Sequence, residues 1–168
     1  MSGLRRGKGQ TAVEVLLIMA VLLTGLALIV APYQESNSKV TALAAVRSVS
    51  SDIATYLNLG VIKENSPELR PLNAIIRDHG DYVVNNFVFD GVKVQSEGRN
   101  YLKILVKFRT VGPANSTLDS LLVDAIGKSL DRTLDDMDGF VREGNAFYYG
   151  SLRITLNVTV NERWGVIP

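Results

Sequence analysis

Cysteine is absent from the 168 residues, which removes disulfides, thiol catalysis and cysteine-based metal sites at once. Histidine occurs once, at His79. No glycine-rich phosphate loop and no serine–histidine–aspartate spacing is present, so the common frameworks for phosphate handling and acyl transfer are missing. An excess of charge of one sign is missing too: 18 Lys and Arg against 17 Asp and Glu leave +1 overall. Nothing general draws such a chain to nucleic acid or to an acidic surface. Internal repeats and low-complexity tracts are likewise lacking.

What is there begins at the N-terminus. Arg5, Arg6 and Lys8 precede a polar hinge, Gly9-Gln10-Thr11, and an apolar run from Ala12 to Ala31 whose sole charge is Glu14. A run of about 20 residues is roughly 30 Å long as a helix, the thickness of a bilayer's hydrocarbon core. The cations on its N-terminal side are expected to hold the start of the chain in the cytoplasm while the remainder crosses. An ordinary secretory signal needs small residues at the outer end of its apolar run. A cut after Ala31 would put bulky Ile29 at the second small position and Pro32 just past the bond. The paired arginines lack the apolar step of a twin-arginine signal, because Gly7-Lys8-Gly9 follows them.

Glu14 separates the readings that remain. In a plain membrane anchor it would rest at the headgroup level at little cost. In the functional reading it is the fifth residue of a chain that starts at Gln10, since ionisable residues within membrane segments mark function by default. The residues Lys8-Gly9, then Gln10, Thr11 and Glu14, then the apolar helix from Val15 resemble the leader and mature start of type IV prepilins, specifically the archaeal class III signal peptide family. The resemblance covers about the first thirty residues. It implies a basic leader, residues 1–9, removed by a prepilin peptidase between Gly9 and Gln10 at the cytoplasmic face, which would leave 159 of the 168 residues. It further implies a transmembrane and assembly helix over 10–59, with Pro32 the place for a kink or break, and an extracellular head over 60–168. The implied partners are the pilus assembly ATPase, its membrane platform, and sister or other pilins; no cofactor is implied. The implied product is a cell-surface filament serving adhesion, its subunits inserted in the cytoplasmic membrane before assembly with the head outside. Archaellins share the processing but usually lack this glutamate, so the chain looks more like a pilin.

Beyond the membrane segment, on the order of 110 residues remain, enough for one core and not two. A helical pattern over 38–59 places Val40, Leu43, Ala44, Arg47, Ser50, Ile53, Ala54 and Leu57 on one side, with Gly60 as its stop. Residues 65–70 read as a linker into a short helix ending near His79-Gly80, where His79 suits a helix end better than a ligand or proton-transfer role. Residues 82–89 and 92–95 around Asp90-Gly91 predict a type I′ hairpin. Residues 101–110 alternate as a half-buried strand, whose basic face, Lys103, Lys107 and Arg109, reads as solvated. Leu118, Leu121, Leu122, Ala125, Ile126, Ser129 and Leu130 predict a helix capped by Ser116 or Thr117, with Asp119 at the positive end of its dipole. A second hairpin is expected around Gly144-Asn145. The last strand, 152–160, should point Arg153, Thr155, Asn157 and Thr159 outward. The predicted fold is therefore α+β: a long apolar helix carrying a mainly antiparallel head with one or two packed helices. An internal helix departs from the all-β heads common among abundant archaeal adhesion pilins, which leaves major or minor status open.

No arrangement suggests an enzyme. Asp131, Asp135, Asp136 and Asp138 with Gly139 form an acidic cluster, but the ligand spacing of a calcium loop is wrong, and a solvated turn is the simpler reading. Asp135 and Asp136 would sit badly at a helix C-terminus, so that helix should stop earlier. Asn115-Ser116-Thr117 and Asn157-Val158-Thr159 match the N-glycosylation pattern, with Asn115 in a loop as the better acceptor. The tail Trp164 to Pro168 reads either as the closure of the core or as a contact with a neighbouring subunit. The alternative to a pilin is a single-pass membrane protein whose extracellular head binds a ligand or partner and never polymerises.

Overall fold

The computed structural model describes residues 6–166, without the side chains of 6–12, 31, 32, 34, 35, 164 and 166. The chain divides into two compact units, Met1–Asn37 and Ser38–Pro168. Helix α1 runs Arg6–Leu59 and therefore contributes to both. The helix carries on through Pro32 instead of stopping there. A proline costs about 3 kcal/mol in a helix interior, a deficit that long helix-forming segments on either side can absorb.

In the second unit α1 contributes Ala42, Val46, Val49, Ile53, Ala54 and Leu57 to the core. The expected stripe was right at Leu43 and from Ser50 onward, but Val40, Ala44 and Arg47 are exposed. Between Val40 and Val49 apolar residues lie nearly all round the helix, so spacing alone does not fix the buried side. Gly60, at φ +63°, terminates the helix as expected. A Cβ there would lie 2.6 Å from Val84.

A 3₁₀ turn (Pro67–Leu69) leads into α2 (Arg70–Val83), which is kinked at His79, φ −141° and ψ 33°. His79 thus marks a bend, and helical structure resumes after it up to Val83. Strand β1 (Phe87–Glu97) then pairs antiparallel with β2 (Tyr101–Thr110) along its whole length. The hairpin expected at Asp90-Gly91 does not exist. Asp90 is the extra residue of a β-bulge between Phe89↔Phe108 and Gly91↔Lys107, and Gln95 is the extra residue of a second, between Val94↔Ile104 and Ser96↔Lys103. Gly91, at φ +117°, serves the bulge as readily as it would a turn. The chain reverses instead at residues 98–100, where Gly98 N donates to Tyr101 O at 3.0 Å.

Helix α3 (Ser116–Asp135) is capped one residue earlier than expected, by Asn115, whose side chain accepts from Thr117 N and Leu118 N at 3.1 and 3.2 Å. It also ends later than its acidic C-terminus suggested, because Leu130 and Leu134 are fully buried and packing outweighs the unfavourable dipole contact. Leu122, Ala125, Ile126, Ser129 and Leu130 are buried as expected, whereas Leu121 is exposed. Strands β3 (Phe140–Glu143) and β4 (Ala146–Tyr149) form the hairpin at Gly144-Asn145. Strand β5 (Leu152–Val160) follows, then β6 (Arg163–Val166).

The sheet order is β1-β2-β5-β4-β3, with β6 beside the second half of β5. All pairs are antiparallel except β2·β5, so the fold is α+β with a mostly antiparallel sheet. The helices cover one face: Ile104, Val106, Ile154, Leu156 and Val158 join α1, α2 and α3 residues in a single core. Gly165 lets β6 approach α3, since a Cβ there would meet Val123 Cγ1 at 2.1 Å.

A polar clamp fixes the far end of this layer. Asp119, 1% exposed, accepts from Tyr82 Oη at 2.8 Å and Asn161 Nδ2 at 3.0 Å. Asn161 also donates to Thr110 Oγ1 and accepts from Thr110 N, so α2 and the β5–β6 turn meet on the α3 carboxylate and β2 joins them through Asn161. Replacing Asp119 by Ala takes the acceptor from two half-buried donors and should cost about 2 kcal/mol in urea unfolding of the detergent-solubilised chain. A shift within about 0.5 kcal/mol, the range of an ordinary surface change, would show that the clamp does not hold these elements.

Candidate functional site

The first unit presents a helix without a polar side. Val13–Val30 has mean hydropathy 2.8 with none of it buried, and at 1.5 Å per residue this 18-residue window spans about 27 Å. Thirteen large apolar side chains between Val13 and Val30 are exposed, Leu28 at 73%. Leaving them in water forgoes on the order of 20 to 40 kcal/mol. The polar side chain of Thr24 is satisfied within the helix, its hydroxyl donating to Ala20 O at 2.7 Å. Glu14 is exposed near the start of this surface and is the sole ionisable residue of the 13–30 window. The helix is long and apolar enough to cross a membrane, which points to membrane insertion or secretion.

Of the expected processing residues, Arg6, Lys8, Gly9 and Gln10 lie on the helical backbone of α1 with side chains outside the described residues, and Arg5 lies outside them altogether. The structure brings none of these into a described contact with Glu14.

In the second unit the expected chemistry is dispersed. Asn115 is exposed, with its carbonyl oxygen occupied as the α3 cap. Asn157 does not point outward into solvent: it is 5% exposed, and its Nδ2 donates to Gln95 Oε1 at 2.7 Å. Thr159 is buried as well. β5 lies between β2 and β6, and on an interior strand the long side chains of neighbouring strands shield even the solvent-side positions. The side chain of Trp164 and residues 167–168 lie outside the described residues. The acidic cluster is split. Asp131 is buried and pairs with Arg142 Nη1 at 2.6 Å, while Asp135, Asp136 and Asp138 are exposed. Among the described residues no group of three acidic or histidine side chains is placed to hold a metal.

Residue-by-residue reading missed a groove of about 550 Å³ on the sheet face away from the helices, lined by Lys93, Gln95, Leu105, Lys107, Thr159 and Glu162 among others. Its parts come from β1, β2, β5 and the turn after β5, so alternation within single strands could not reveal it. The signal was Asn157, a polar residue near the centre of a largely buried strand.

No family model, characterised protein or solved structure matches this chain.

Asp131 gives this unit a pH dependence. Burial raises its carboxyl above the ordinary range; the Arg142 charge opposes the rise, Asp135 adds to it and Arg132 lowers it. A raised native value means that the folded chain holds the proton longer than the unfolded chain does. The stability it contributes is therefore full below the unfolded value of about 3.9 and lost as pH rises through the native one. Urea unfolding at pH 4 and pH 7 should show a smaller decline for Asp131→Asn than for the native chain. Equal declines would remove Asp131 as the source.

Proposed function

We propose that this chain is a structural subunit of an archaeal type IV pilus-like surface filament. One observation carries the reading: a helix apolar on every side, holding a single carboxylate four residues after a Gly9-Gln10 junction, continues into a folded α+β head. Cations before Gly9 hold the precursor N-in across the membrane. A prepilin peptidase then cuts between Gly9 and Gln10, and the assembly ATPase and its membrane platform move the helix from lipid into contact with sister helices. The new amino group at Gln10 lies about one helical turn from Glu14. In a filament core Glu14 pairs with that group on its own or a neighbouring subunit. An unpaired buried carboxylate there is strongly unfavourable, so the pair fixes axial register more than it adds stability. The role is structural and needs no cofactor. The head faces the outside, where Asn115 is the exposed acceptor for a glycan and adhesion is the task.

A second reading keeps the helix permanently in lipid as the anchor of a head that binds a partner. Its support is the even apolarity of Val13–Val30, which suits lipid on all sides. Electron microscopy of sheared surface material separates the two: subunits in filaments support the pilin, recovery in membranes alone supports the anchor.

Mass spectrometry of native material should find a chain beginning at Gln10. Retention of Met1 or Arg5, or a start near Pro32, would overturn the assignment. Glu14→Ala should leave insertion intact, because it removes a charge from the apolar segment, yet lower sheared filament yield by roughly tenfold through lost register. Normal filaments from this variant would strip Glu14 of its role.

A further inference from the structure

The sheet face away from the helices carries features that packing does not require. Gln95 is the extra residue of a β-bulge, a device that re-aims a side chain and often borders functional sites. Its Oε1 accepts from Asn157 Nδ2 at 2.7 Å, which turns its own amide nitrogen away from Asn157; among the described residues that nitrogen has no partner. Asn157, 5% exposed, has an Oδ1 with no hydrogen-bond partner. Glu162 stands at the groove's edge, its φ of +69° set by the two-residue turn between β5 and β6. Lys93 and Lys107 line the same groove and form no ion pair among the described residues. Half-buried Val94 and the exposed edge of Leu105 supply its apolar lining.

We propose that this groove binds a hexuronic acid unit of a glycan. Two lysines and one glutamate give the lining a net charge of +1, which matches the single carboxylate of such a sugar and mismatches a dianionic phosphate. The ring hydroxyls meet a donor in Gln95, both donor and acceptor in Thr159, and an acceptor in Glu162. Val94 and Leu105 take the apolar face of the ring. About 550 Å³ falls within the size range of small-ligand sites, and a few polar groups around an apolar floor is their usual composition. The proposal does not rest on filament assembly, because the site lies wholly within residues 93–162.

The test uses the full chain in detergent micelles, tetragalacturonate as probe, and ligand-observed NMR titration. The fully methyl-esterified tetramer keeps the rings and hydroxyls without the charge and should bind roughly tenfold more weakly. The Lys93→Ala/Lys107→Ala double variant should weaken the acidic probe by a similar factor at an unchanged unfolding temperature. Gln95→Ala should weaken both forms. Lys103→Ala, an exposed cation on the same strand as Lys107, should change nothing. No binding of the acidic probe, equal binding of the ester, an equal loss with Lys103→Ala, or displacement by equimolar inorganic phosphate would each overturn the proposal. Any of these results would leave the filament reading untouched, since no assembly is measured.

Discussion

A helix without a polar side is the constraint from which the rest follows. Water cannot accommodate the surface from Val13 to Val30, and no rotation of the helix offers a stripe to one partner and another to solvent. Such a surface needs an apolar medium on all sides, either lipid or a bundle of like helices. A bundle built only from apolar contacts has little to fix the axial position of one helix against the next, because leucine packs on leucine at many offsets. In such a bundle a single carboxylate near one end would change this: Glu14 would tolerate only those offsets that gave it a positive partner. Under the filament proposal, one charge in an otherwise featureless segment would supply specificity that apolar burial cannot.

The second unit solves the opposite problem. Its portion of α1 is amphipathic and is completed by a sheet, two further helices and a polar clamp. The β2·β5 pair, parallel and near the sheet's centre, joins segments separated by α3 and the β3–β4 hairpin. Asp119 and Asn161 then lock the turn after β5 to α2, α3 and β2. Tyr82 and Asn161 donate to the one carboxylate and Asn161 binds Thr110 in turn, so the clamp is complete only when all four elements are in place. This kind of contact favours a unique arrangement over loosely packed alternatives.

Local order was the legible part. The strand at 101–110, the strand at 152–160, the Gly144-Asn145 turn and the Gly60 stop could each be read from a few adjacent residues, because alternation and left-handed glycine are local properties. The failures were tertiary. Asp90-Gly91 is compatible with a turn and with a bulge, and only the length of the strand opposite decides between them. Tyr82 and Val83 looked like strand residues but belong to α2, where Tyr82 is needed for its hydroxyl. Strand β6 is four residues long and is entered through Asn161 and Glu162, both at positive φ. Asn signals such a turn and Glu does not. The groove is the extreme case, since each of its side chains looks like ordinary solvated surface within its own strand.

The buried amide at Asn157 links these levels. Valine at that position would suit the strand and fill the space without polar atoms, and a buried polar atom left unpaired costs about 1–3 kcal/mol. Asn157 Oδ1 is left unpaired, while the other half of the same amide holds Gln95 at its bulge. The second bulge lies at the same place. An unpaired amide oxygen and an extra strand residue beside one groove are hard to explain by the needs of folding. They are explained together if that face is shaped to hold something, with the helix-covered face left to carry the stability of the unit.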